Sequence, residues 1–78
     1  MSNLEKAEAR LRASPPQADF RDVRRVLEGH GWRQARQNGS HISFTKPGAP
    51  TVVVPIHNSQ VKRAYVDRIC AILGLKEG

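Results

Sequence analysis

The stretch WRQARQNGSHISFTKPGAPTVVVPIH, residues 32–57, decides the fold. Near its centre is Asn38-Gly39, a pair that tolerates positive φ and is a strong short-range hairpin signal. Residues 41–46, HISFTK, then alternate: Ile42 and Phe44 point one way, and His41, Ser43 and Thr45 point the other. PGAP at 47–50 reads as a second turn. The β-branched run TVVVPIH, 51–57, reads as a strand with Pro55 near its end or on a sheet edge. With 32–37 before the first turn, the stretch predicts a three-stranded antiparallel meander. His41 then lies on the face opposite Ile42 and Phe44.

That apolar face needs a cover, and the flanking segments supply it. Upstream, residues 20–30 place Phe20, Val23, Val26 and Leu27 on one helical stripe, with Asp19 as N-cap and Gly29 or Gly31 as the stop. Downstream, Ser59 is placed to cap a helix over 60–73. Its apolar face would be Val61, Tyr65, Ile69, Ile72 and Leu73, and Gly74 would end it. Residues 3–13 are strong helix formers with a narrow stripe of Leu4, Ala7 and Leu11, which predicts a docked appendage rather than a core element. SPPQAD, 14–19, reads as a connection. The division is an N-terminal helix and Pro-containing linker, 1–18, followed by a domain over 19–78. The class is α+β, with a three-stranded antiparallel sheet packed on two helices. The order α-β-β-β-α, with one extra N-terminal helix, is that of the double-stranded-RNA-binding fold.

A chain of 78 residues supports one small domain with a thin core, so chemistry falls on a surface or shallow groove. Net charge is +6. Residues 1–31 hold six Lys or Arg against five acids, whereas residues 32–78 hold seven against two, a balance of +5. A basic second half suits a polyanion such as nucleic acid, or an acidic protein partner. The single cysteine, Cys70, allows no internal disulfide. No leader-like or membrane-spanning run is present, so a cytoplasmic protein without membrane contact is expected. His30, His41, His57 and Cys70 lack metal-ligand spacing, and no P-loop, dinucleotide-binding or nucleophile-elbow motif occurs, so neither metal nor cofactor is expected.

Three pieces of sequence occur in order on this topology. Gly31-Trp32 follows the first core helix. Arg36-Gln37-Asn38-Gly39-Ser40-His41 spans the turn. Pro55-Ile56-His57 precedes a last helix that ends in Ile72-Leu73-Gly74. Over about residues 20–75 this pattern resembles the HicA family of small toxins. The resemblance implies a ribonuclease toxin of a toxin-antitoxin pair that cleaves mRNA without a metal and is held inactive by a HicB-type antitoxin. It also implies that His41 is the catalytic histidine, and that the chain is a monomer alone or a hetero-oligomer with its antitoxin. Many members carry a second histidine or an aromatic after this one, where this chain has Ile42. The helix over 3–13 lies outside the minimal pattern.

The residues fit such chemistry. RNA supplies its own 2′-OH as nucleophile. The enzyme then needs a base for that proton, an acid for the 5′ leaving oxygen and positive charge for the transition state. Histidine serves as either acid or base near neutral pH, and one well-placed group contributes about 10²–10⁴ in rate. If Phe44 pairs with Val54 and Ile42 with Ile56, His57 falls opposite His41 and is a second catalytic candidate. Its alternative is a residue that holds strand-end geometry. Arg36, Lys46, Lys62 and Arg63 are candidates for RNA phosphate contact, joined by Gly39 and Ser40 at the turn. His30, Trp32, Tyr65 and Cys70 read as structural. Two further readings stand beside the nuclease. One is a non-catalytic RNA-binding module of the same fold. The other is a DNA-binding subunit using the last helix, which lacks a base-reading cluster.

Overall fold

A computed structural model of the chain describes residues 2–75. Met1 and residues 76–78, the outer ends of the two predicted segments, lie outside the described residues. The elements run α1 (Asn3–Arg12), β1 (Gln17–Asp19), α2 (Phe20–Gly29), β2 (Arg33–Asn38), β3 (His41–Thr45), β4 (Val52–Pro55), β5 (Gln60–Lys62) and α3 (Arg63–Leu73). The class is α+β with antiparallel sheets. The expected three-stranded sheet is present in the order β2-β3-β4, and β1 pairs with β5 in a separate two-stranded ribbon. The element order therefore differs from the plain α-β-β-β-α expectation.

Local chemistry explains most of the boundaries. Ser2 caps α1 by accepting from the Glu5 N–H at 3.1 Å, and Asp19 caps α2 by accepting from the Arg21 N–H at 2.9 Å. The β2–β3 turn sits one residue later than the Asn-Gly pair suggests. Asn38 is paired with His41, so the two turn residues are Gly39 and Ser40, and Gly39 takes φ +62°. Glycine at the first central position, with positive φ, is the requirement of a type II′ hairpin.

The last helix starts three residues later than expected. Ser59 does not cap it. Asn58 (φ +51°) and Ser59 (φ +62°) form a second two-residue turn, across which His57 and Gln60 exchange both backbone hydrogen bonds at 2.9 Å. Positive φ at both central residues is the type I′ pattern. Val61 is consequently buried from β5, and the buried residues of α3 are Val66, Ile69 and Cys70. Ile72, expected on the apolar face, is 44 % exposed.

One apolar cluster unites the molecule. Ile42 and Phe44 of β3 and Val52 and Val54 of β4 meet Val23, Val26 and Leu27 of α2, with Val66, Ile69 and Cys70 of α3 in the same core. Phe20 opens α2 directly over β3, its ring centroid 6.2 Å from that of Phe44. Trp32 is buried here, as expected.

The expectation for α1 is corrected. Ala7 and Leu11 are fully buried in the common core, so α1 is part of it. Polar contacts fix the helix from three sides. The Arg10 guanidinium donates to both oxygens of Asp22 at 2.8 and 2.9 Å, Glu8 meets the His30 imidazole at 3.0 Å, and Ser14 just beyond the helix donates to Asp67 at 2.7 Å. The narrow stripe understated the contact because α1 lies close on α2. A Cβ at Gly29 would come within 2.7 Å of the Leu4 side chain.

Three measurements test these contacts. Leu11→Ala should cost about 2–5 kcal/mol in urea unfolding, the range for a buried leucine, whereas a surface appendage would lose no more than about 0.5 kcal/mol. Asp19→Ala should cost about 0.5–2 kcal/mol through the lost cap. The Arg21 backbone N–H holds the Asp19 carboxyl below the usual aspartate range against the opposing effect of desolvation, aided by the Arg21 side chain and the charge of Arg10. A lowered folded value means that this ionic contribution is complete at neutral pH and is lost as pH falls through the folded value. The stability difference between wild type and Asp19→Asn, which retains a cap but does not titrate, should be flat above about pH 5 and shrink below it.

Candidate active site on the open face of the sheet

β3 buries alternate residues, so its other face presents His41, Ser43 and Thr45 outward. His41, the first residue of β3, is exposed and stands between Asn38 of β2 and Pro55 of β4. Directly opposite residues of an antiparallel pair share a face. Arg36 is opposite Ser43 and Arg33 opposite Thr45, although the two arginines are three positions apart. The register shift between Gln34 and Arg36 explains this, because one extra residue, Ala35, restores the phase. Both arginines therefore share the face of His41. Val53, 46 % exposed and opposite Ser43, adds an apolar patch.

The predicted pairing of His41 with His57 is corrected. The observed register is Phe44↔Val52, Ile42↔Val54 and His41↔Pro55. Pairing continues one step further, with the Ile56 N–H donating to the Ser40 carbonyl at 2.7 Å. His57 thus falls two residues beyond the partner of His41, in the β4–β5 turn, and is exposed.

The other predicted contact residues divide by location. Gly39 and Ser40 form the turn beside His41, and Arg36 lies on the same face. Lys46 does not. Its side chain lies beside Gly31, and it lines a groove with His30, Trp32 and Arg68 on another part of the surface. Lys62 lines a pocket with Pro55 and His57, next to the His41 face. Arg63 is committed to the chain fold: its backbone N–H donates to the Pro16 carbonyl at 3.0 Å and its guanidinium to the Pro15 carbonyl at 3.3 Å. His30, paired with Glu8, is structural as expected.

The electrostatics are segregated. No acidic residue occurs between Glu28 and Asp67, the span that builds β2, β3, β4 and β5. The acids of the helical side meet local partners: Asp22 with Arg10, Glu8 with Arg12 and His30, Asp19 with Arg21, and Glu28 with Arg24. Arg33, Arg36, Lys46 and Lys62 form no ion pair among the described residues. The His41 face is thus a positive, polar surface with an exposed imidazole. Arg33 was missed by sequence reasoning, although the acid-free span was a legible signal that its charge stays uncompensated. Among the described residues no three His, Cys, Asp or Glu side chains gather as a metal centre would require, and no helix is long and apolar enough to cross a membrane.

Comparison with known proteins gives one match. The model of the family described as "HicA toxin of bacterial toxin-antitoxin" matches residues 20–75, which span α2 through α3. No curated protein and no solved structure matches the chain.

Proposed function

The chain belongs to the HicA toxin family, and on that premise we propose that it is an endoribonuclease acting on mRNA in the cytoplasm, with His41 as its proton-transfer group. The observation that carries this reading is the placement of His41: an exposed imidazole on an acid-free sheet face shared with Arg33 and Arg36. RNA lying over this face meets the guanidiniums as phosphate partners. The 2′-oxygen attacks the adjacent phosphorus, the bond to the 5′-oxygen breaks, and the products are a 2′,3′-cyclic phosphate and a 5′-hydroxyl. His41 takes the 2′-OH proton or delivers one to the leaving oxygen. The arginines oppose the charge that builds on the phosphoryl oxygens. Histidine offset by two residues supports His41 acting without direct help from His57, whose share in proton transfer would need water or substrate between them.

No step of this scheme requires a metal. A toxin of a toxin-antitoxin pair has an antitoxin partner, and we assign that role to a HicB-type protein that covers the His41 face with acidic side chains.

Purified protein incubated with labelled single-stranded RNA in EDTA should cleave it, leaving cyclic phosphate ends, and His41→Ala should lower the rate about 10²–10⁴-fold. Binding without cleavage by the wild type would sink the nuclease reading in favour of a non-catalytic RNA-binding module. RNA affinity measured on the His41→Ala protein should fall with added salt. The slope of log K against log salt should drop by about 0.7 for each of Arg33→Ala and Arg36→Ala, the value for one phosphate contact on a single strand. Lys46→Ala, on another part of the surface, should leave that slope unchanged.

A further inference from the structure

We infer that the pocket beside His41, lined by Pro55, Ile56, His57, Gln60, Lys62 and Tyr65, binds one nucleobase of the RNA and reads its edge through Gln60. This rests on the nuclease reading for its substrate class. The pocket has a volume of about 290 Å³, the small end of the range for ligand sites. Its lining includes Pro55, the residue directly opposite His41, and the Cβ atoms of such a pair stand about 5 Å apart. A nucleotide whose phosphate sits at His41 can therefore lay its base there.

The lining suits a base. Proline, isoleucine and the half-buried Tyr65 ring form apolar walls. Unpaired bases are recognised by stacking on aromatic side chains and by hydrogen bonds along their edges. Among the described residues, the side chains of His57, Gln60, Lys62 and Tyr65 enter no hydrogen bond within the chain, so four polar groups converge there with their bonding capacity unspent. A side-chain amide both donates and accepts, which matches the paired donor and acceptor of a base edge.

Gln60 is also held in place. Its backbone N–H and carbonyl both bond His57 across the turn at 2.9 Å, it pairs with Asp19 in the ribbon, and the Phe20 N–H ties Ser59 at 2.8 Å. Asn58 and Ser59 hold positive φ to close this turn, a conformation that costs free energy in non-glycine residues and gathers at functional sites. The apolar floor and the lack of a paired row of cations favour a base over an acidic peptide. Lys62 at the rim takes the phosphate that follows the base.

The test uses full-length His41→Ala protein and four labelled hexaribonucleotides of A, C, G or U. The four should bind with affinities that differ by fivefold or more. Gln60→Ala should bring them within about twofold of one another. Tyr65→Leu should weaken all of them about 5- to 100-fold, the loss of one stacked base. Tyr65→Phe keeps the ring and should bind like the parent, which separates stacking from a folding defect. If Tyr65→Leu does not fold, Gln60→Ala decides. Equal binding of the four RNAs by the parent, or an affinity order that survives Gln60→Ala, overturns the inference. Binding is read without turnover, so absence of cleavage by the wild type would remove the nuclease reading and leave this result standing.

Discussion

Burial of Ile42 and Phe44 constrains everything else in this molecule. Each is fully or nearly fully withdrawn from water in the shared core, and burial of such a side chain is worth about 1.5–3 kcal/mol. Strand alternation leaves no freedom after that. With Ile42 and Phe44 inward, His41, Ser43 and Thr45 must face out, and a one-residue slip would turn both apolar side chains into solvent. The exposure of His41 is therefore a consequence of the packing of Ile42 and Phe44. The two-residue Gly39-Ser40 turn then fixes which β2 residues stand beside it. The bulge at Ala35 decides that the two arginines share its face.

Charge follows the same division. The helical side carries every described acid, and most of these acids neutralise arginines on their own or neighbouring helices. The three-stranded sheet carries cations alone. Such an arrangement leaves the net positive charge concentrated where the histidine is. It raises the local concentration of a polyanion there and makes association sensitive to salt. An acidic protein surface would be drawn to the same place as a polyanion.

Alternation and helical stripes were enough to read α2, the three-stranded sheet and the last helix, because each has a period that one buried face enforces. The same physics explains what could not be read. A two-residue slip between β3 and β4 keeps every side chain on its own face, so the apolar pattern cannot tell Phe44↔Val54 from the observed Phe44↔Val52. Only the path of the 46–51 connection distinguishes them, and that slip moved His57 away from His41. β1 and β5 are three residues long, too short to show a period, and their strand identity comes from pairing with each other across the chain. Val61 fits a helical stripe and a strand face equally well. Arg33 needed the bulge at Ala35, which a stretch as polar as WRQARQ does not announce.

The N-terminal helix carries the last step. The family match begins at residue 20, yet Ala7 and Leu11 are fully buried and Leu4 presses on Gly29. Take α1 away, and Val23, Val26 and Leu27 of α2 lose part of their cover, while Asp22 and His30 lose polar partners. In a chain this small the net stability is only a few kcal/mol, so a deficit of that size would threaten the sheet that presents His41. The helix contributes nothing to the histidine face directly, since its polar contacts go to α2 and to His30 beyond it. It acts on the site by completing the core beneath it. A chain with this matched segment but without α1 must close the same gap by other means: larger side chains at these positions of α2, or a partner protein lying along it.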